Sequence, residues 1–295
     1  MQWQDIEHTL KSALGSGLKL GQAEAVSGGN INQAFKLHSN RGELFIKLNH
    51  VSCFDMFVQE SAGLVAIAAT NTIRTPNVII ANHTQHHAFL VLQYHEAKNP
   101  QPSDWQLAAE QLAAMHSAST MATVTGEPFG FSADNYIGST PQPNSPTPSW
   151  SEFFAHQRIG YQLSLLKGQL QLPISDAEIC QQIESILQVD PIQPSLLHGD
   201  LWRGNLMFDK HGPLLVDPAC YIGDAEADIA MTDLFGGFPA AFYQAYRSIK
   251  AAPESLSLRH DIYNLYHLLN HATLFGGHYL DQAEQSVKRL IENGS

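Results

Sequence analysis

The stretch that decides the fold is LLHGDLWRGNLMFDKHGPLLVDPACYIGDAEAD, from Leu196 to Asp228. Two short apolar runs are bracketed in it by Asp200, Asn205 and Asp217. An unpaired carboxylate is costly to bury, so acids beside apolar segments need either water or a cation. A solvated hairpin meets the first need, and a divalent-metal and phosphate site meets the second. Asp200 and Asn205 are five positions apart, and a short loop can bring both side chains to one side of a cleft. The strand GPLLVDPA ends at Asp217. Oxygens from Asn205 and Asp217 suit Mg²⁺, which takes one or two carboxylates and leaves its remaining positions to phosphates and water. Asp200 is then free to accept a hydroxyl proton, which is the division of labour of a phosphotransferase. Each half alone is ordinary, since HGD is common and a strand ending in Asp-Pro is often a turn. Their order and spacing together point to the site.

The whole chain bounds this reading. Its 295 residues suit one large domain or two lobes. A hydrophobic share of 44% supports a substantial core, and a charged share of 15% argues against a disordered tail or a coiled coil. The net charge of -12 disfavours nucleic acid and anionic membrane as partners. It leaves room for an anionic nucleotide in a locally positive pocket. Cys53, Cys180 and Cys220 form no CxxC pair, so neither a disulfide scaffold nor structural zinc is expected. The first residues, MQWQDIEHTLKSALGSG, do not read as a signal peptide, and no window is expected to reach a membrane span. A cytoplasmic protein is the expectation. Fifteen histidines include no HExxH, and HTQHH (His83 to His87) reads as a polar turn rather than a metal site.

The pattern along the chain predicts a helix over 3–14, then short alternating segments KLGQAEAV, NQAFKLHS and GELFIKLN as antiparallel strands. A helix over 54–70 and strands in NVIIANH and HAFLVLQYH follow. Helices dominate after that. Capping boxes are read at Ser103 with Gln106, Ser149 with Glu152, and Ser175 with Glu178. Residues 121–149 hold the proline-rich STPQPNSPTPS, which cannot be helix interior and reads as an ordered crossing loop. The prediction is an α+β protein with a β-rich N-lobe over 1–95 and a larger, mostly helical C-lobe over 96–295. A hinge near Gln93 to Pro100 joins them, and a nucleotide fits the cleft between.

HGDLWRGN, VDPA and GDAEADIAMTDLFGGF together resemble the fructosamine-3-kinase (ketosamine-3-kinase) family. SGGNINQAFKL, FGFSADNYIGSTPQPN and WSEFFAHQRI resemble further segments of it, so the likeness spans nearly the whole chain. Aminoglycoside phosphotransferases and choline kinases are relatives, and the implied fold is protein-kinase-like with two lobes. The implied cofactors are ATP and Mg²⁺. The implied reaction is phosphorylation of the 3-hydroxyl of a ketosamine, a small glycated amine, in a deglycation role, by a monomer. Other readings are a kinase of the same superfamily acting on an aminoglycoside, choline or a thiosugar, a nucleotide-binding regulator without activity, and a histidine-rich metal-binding protein.

The resemblance also implies roles. Asp200 matches the catalytic base, Asn205 and Asp217 the metal-binding pair, and His198 and Asp228 the support of the catalytic loop. Asp228 also reads simply as an acid at a helix N-terminus. Ser27, Gly28, Gly29, Asn30 and Ile31 would form the phosphate loop, although by themselves they read as a hairpin turn. Lys47 sits mid-strand, where alternation allows solvent exposure; the resemblance implies instead that it grips phosphates and pairs with an acid on the next helix. Glu60 is the acid deep in that helix. Adenine would bond the backbone of Gln93, Tyr94 and His95. Trp202 and Arg203 are substrate candidates, Arg203 standing where the family commonly has a small residue. Phe235 and His271 read as core residues, with a pocket wall as the alternative, and Cys220 as a buried small hydrophobe.

Overall fold

Alternation of apolar residues builds the first part of the chain into a five-stranded antiparallel sheet, in a computed structural model that describes residues 3–26, 31–118, 126–188 and 191–293. The strands are β1 (Leu20–Val26), β2 (Gln33–Ser39), β3 (Leu44–His50), β4 (Val78–His83) and β5 (His87–Gln93), in the order β1-β2-β3-β5-β4. Ile46 pairs with Val91 and Leu48 with Phe89. These residues pack against Ile6 and Leu10 of α1 (Trp3–Leu14). The alternate residues Ala88, Leu90 and Leu92 face the other way, onto Phe57 and Leu64 of α2 (Phe54–Ala69). Both faces of β3 and β5 are therefore covered, and Lys47 lies buried beneath α2 rather than on a solvent face. His83 and His87 bound the turn between β4 and β5.

The sequence expectation on membrane spans needs correcting. Residues 51–69 reach a mean hydropathy of 1.3 and the length of a span. In the fold residues 51–53 form a 3-10 turn and residues 54–69 the helix α2 that covers the sheet.

The helical part opens with α3 (Pro102–Ser117). Its N-cap is Gln101, whose N–H donates to the Asp104 carboxylate at 2.8 Å, so the expected Ser103–Gln106 box is displaced. Pro102 sits at the first helical position, where a missing N–H costs nothing. Ser175 and Glu178 form the expected capping box, whereas Ser149 accepts from the Glu152 amide without the return bond that would complete one. The crossing segment contains a hairpin not foreseen in the sequence, β6 (Asn135–Ile137) and β7 (Thr140–Gln142), turned at Gly138 with φ 62°. The helical run 150–165 comprises α4 (Trp150–Glu152), a π-helical stretch Phe153–Gly160 and α5 (Tyr161–Leu165). Then come α6 (Asp176–Leu187), α7 (Ala225–Leu234), α8 (Ala240–Ile249), α9 (Leu256–Phe275) and α10 (His278–Asn293). Helix α9 runs through the core of this lobe, burying Ile262, Leu265, Tyr266 and Leu269.

Two short ladders interrupt the helices. β8 (Ser195–Leu197) pairs with β11 (Tyr221–Gly223), and β9 (Leu206–Asp209) with β10 (Gly212–Leu215). The β-rich first part and the larger, mostly helical second part are the α+β arrangement that the pattern along the chain predicts.

Candidate active site

The two ladders bring the chemistry together. Leu197 pairs with Tyr221 at one end, and Leu206 with Leu215 at the other. Residues 198–205 and 216–220 are thereby held side by side. Cross-bonds lock them: Ala219 N donates to His198 O at 2.8 Å, and Val216 N to Asn205 O at 3.0 Å. His198 is fully buried and neutral, because burial lowers its pKa. Its Nε2–H donates to Val216 O at 2.9 Å, which leaves Nδ1 to accept the Asp200 amide at 3.3 Å. Gly199 has φ 80°, and a Cβ there would lie 2.0 Å from Ala219 O. Only glycine allows so close an approach at that backbone angle.

Asp228 anchors this loop from the first turns of α7. It is 1% exposed, and its carboxylate accepts from His198 N at 2.7 Å, Gly199 N at 2.8 Å and His116 Nε2 at 3.1 Å. The helix N-cap is Asp224, so Asp228 is not serving as a cap. His116, on α3, also meets the Tyr246 hydroxyl at 2.8 Å. Nothing in the sequence singled out His116.

Lys47 comes from the other lobe. Its Nζ donates to Glu60 at 2.6 Å and to Asp217 at 2.7 Å. Burial works against its charge, but the two carboxylates outweigh that and hold the ammonium above the usual lysine value. Burial lifts the Glu60 carboxyl above the usual range in spite of Lys47. Gly63, one turn beyond Glu60, explains the register of α2. A Cβ there would stand 3.1 Å from Pro218 and 3.3 Å from Cys220 Sγ. The helix thus packs directly on the segment that carries Asp217. Asp217 itself has φ 56°, unusual for a residue with a Cβ and typical of constrained functional positions.

Asp200, half-buried, accepts from Asn205 Nδ2 at 3.1 Å, and the same group donates to Asp200 O at 2.8 Å. Burial, then Asp217, then Asp228 push the Asp200 carboxyl up to about 7, against the Asn205 bond. With its Nδ2 so engaged, Asn205 keeps Oδ1 as its acceptor end.

These side chains line one cleft of about 740 Å³ between the lobes. Lys47, Glu60, Gln93, Tyr94, His95, Asp200, Trp202, Asn205 and Asp217 all border it, as does Ile31. Ser27, Gly28, Gly29 and Asn30 lie outside the described residues. The Gln93 and Tyr94 amides donate to Asn77 O at 2.9 Å and Glu43 O at 3.1 Å, so these two donors are engaged within the sheet. Arg203 does not border the cleft; its guanidinium lies 5.4 Å from the centre of the Trp105 ring. Phe235 and His271, read as core, are instead half-buried in the cleft wall. Cys53, Cys180 and Cys220 are free thiols, and burial raises Cys220 well above the usual thiol value.

Two further supports escaped the sequence. Asn135 Nδ2 donates to Cys220 O at 2.7 Å and Gln142 Nε2 to Ala219 O at 3.1 Å, so the unforeseen hairpin braces the segment after Asp217. Arg74 forms a bidentate pair with Asp209 at 2.8 and 2.9 Å, and His95 Nδ1 meets the same carboxylate at 2.8 Å. That cluster ties the sheet lobe and the hinge to β9. Its partners are 135 and 114 residues away in sequence, beyond the reach of any local pattern. Among the described residues no group of three or more His, Cys, Asp and Glu is placed to hold a metal. The donors Asn205 and Asp217 are hard oxygens, which fit Mg²⁺ with phosphates completing its shell.

Comparison with known proteins agrees with this geometry. The fructosamine kinase family model matches residues 2–293. A "probable ketoamine kinase" of Synechocystis sp. is 42% identical over 290 residues, covering 98% of this chain and 97% of its own. The chloroplastic protein-ribulosamine 3-kinase of Arabidopsis thaliana is 37% identical, over 91% of this chain and 82% of its own. The crystal structure of a "putative fructosamine-3-kinase" from Haemophilus somnus 129PT superposes with a TM-score of 0.89 at 30% identity, covering 98% and 97% of the two chains. With the family model spanning all but the ends, and relatives this similar over nearly their whole length, the chain belongs to the fructosamine kinase family.

Proposed function

We propose that the protein is an ATP-dependent kinase that phosphorylates the 3-hydroxyl of a ketosamine, a fructosamine or ribulosamine. One observation carries this reading: Asp200 with its raised pKa, the Asn205–Asp217 oxygen pair and Lys47 braced by Glu60 all border one cleft. Membership of the family supports the choice of acceptor. In this reading residues 1–95 bind the nucleotide and residues 96–295 carry the catalytic loop and acceptor site.

Ser27 to Ile31, of which only Ile31 lies among the described residues, would hold the phosphates together with Lys47. Adenine is met by backbone groups of Gln93 to His95 other than the two amides already engaged in the sheet. Asn205 and Asp217 would hold Mg²⁺, which when bound supplies charge neutralisation to the phosphate oxygens. Asp200 orients the acceptor hydroxyl and takes its proton, the role of a general base held at the cleft by Asn205. Positioning and electrostatics supply most of the rate gain, because phosphoryl transfer asks little covalent chemistry of the protein. Trp202, 40% exposed, stacks on the sugar. Arg203, turned onto Trp105, contributes no substrate contact. The phosphorylated adduct then releases its amine, a repair role suited to a cytosolic monomer acting on a small molecule.

The test is ADP release with Mg²⁺ across fructosamines, ribulosamines, aminoglycosides, choline and thiosugars, in the wild type and in Asp200→Asn. Turnover is expected with the ketosamines. The variant is expected to lose about 10²–10⁴-fold in kcat, the usual worth of a general base, with ATP affinity nearly intact. Wild-type kcat in the variant would remove Asp200 from its role.

A further inference from the structure

The cleft has a second wall that phosphoryl transfer does not use. Phe235 at the end of α7, His271, Leu274 and Phe275 in the last turns of α9, and Tyr279 of α10 line it. His271 is its centre, with ring centroids 4.5 Å from Phe235, 5.6 Å from Phe275 and 5.0 Å from Tyr279. The wall is built rather than loose. Gly276 and Gly277, at φ 60° and 57°, turn the chain so that Tyr279 folds back beside His271. Nδ1–H of His271 donates to His267 O at 2.8 Å, and burial lowers its pKa, so the ring is neutral near pH 7.

Phe275 is 53% exposed, a large aromatic surface left open inside a concavity. Charge is distributed unevenly along the cleft. The acids Glu60, Asp200 and Asp217 belong to the phosphate-transfer machinery. Among the described lining residues the one lysine or arginine is Lys47, already held by Glu60 and Asp217. The aromatic wall therefore presents π-faces and offers no cation to an anionic ligand.

Resting on the ketosamine reading above, we propose that this wall is the subsite for the amine's substituent, and that it favours ketosamines of aromatic or arylalkyl amines over those bearing a carboxylate next to the amine. With the sugar hydroxyl at Asp200, the nitrogen substituent extends along the cleft. An aryl group stacks on Phe275 and Tyr279. The protonated secondary amine gains from the same π-faces. A carboxylate placed there loses its hydration without a partner.

The experiment compares three adducts of one sugar, formed with methylamine, phenethylamine and phenylalanine. The last two differ by a single carboxylate. In the wild type, kcat/KM for the phenethylamine adduct is expected to exceed both others by about tenfold, the order of one aromatic contact. In Phe275→Ala the ratio of phenethylamine to methylamine adduct should collapse toward one. In Phe275→Lys the phenylalanine adduct should overtake the phenethylamine adduct. Equal kcat/KM for all three in the wild type, or ratios unmoved in both variants, would overturn the inference and leave the kinase reading standing. No turnover of any ketosamine would overturn that reading and this one with it.

Discussion

Replacing Asp228 by Asn tests how the catalytic loop is held. The side chain keeps its size, so packing is unchanged, but one acceptor oxygen becomes a donor. Three N–H groups converge on this carboxylate, from His198, Gly199 and His116. Oδ2 takes two of them and Oδ1 takes Gly199. The amide oxygen can replace only one of these oxygens. If it stays with the pair, its NH₂ confronts the Gly199 amide, a buried donor against a donor. Stranding that group costs about 1–3 kcal/mol. The two remaining bonds lose their charge assistance, about half their strength. Together these give a loss of about 3 kcal/mol, large against the ~5–15 kcal/mol of a typical domain. Gly199 immediately precedes Asp200, so the loop should also shift, and a displacement of about 1 Å costs ~10²-fold in rate. Urea denaturation followed by circular dichroism gives the first quantity, read as a lower midpoint at unchanged slope. Initial-rate ADP release gives the second. A variant within about 0.5 kcal/mol of wild type, the scatter of surface substitutions, and with unchanged kcat would refute this account of the anchor.

Three other outcomes follow from the same geometry. Lys47→Met leaves Glu60 and Asp217 without their shared cation; kcat/KM for ATP should fall by about 10²–10³, the usual cost of one charge-stabilising donor. Arg203→Ala removes a cation–π contact with Trp105; it should cost at most ~1 kcal/mol of stability and leave kcat and both KM values unchanged, a shift in acceptor KM being the result against it. Glu226 receives Arg247 at 2.6 and 2.7 Å and His260 at 3.0 Å. Burial pulls its carboxyl upward, but Arg247 and His260 outweigh that and hold it down at about 2, from 4.5. A depressed acid contributes stability above pH 4.5 that is lost as pH falls toward 2. Glu226→Gln should therefore lower stability at pH 7 by up to about 3 kcal/mol, and urea midpoints should show the gap shrinking at pH 3; an equal gap at both would count against the pairing.

The sequence by itself determined the strands, because a period of two survives in residues such as Leu44, Ile46 and Leu48 whatever covers them. It also marked Asp200, Asn205 and Asp217, because a local order of loop and strand places them in one neighbourhood. Periodicity and the order of elements along the chain reached as far as the α+β class. They could not decide Lys47: alternation says which side of the sheet it faces, and only α2 lying on that side makes it buried. Nor could they reveal Gly63, whose meaning is a missing side chain at a contact 155 residues along the chain, with Pro218. The β6–β7 hairpin was invisible because strands of three residues are too short to show a period. The Arg74–Asp209–His95 tie and the His271 wall are meetings of residues whose separate local patterns look like ordinary turns and helix cores. Tertiary structure decided these, because burial, pairing and pKa depend on what stands opposite a side chain, and a sequence specifies neighbours along the chain more directly than neighbours across a cleft.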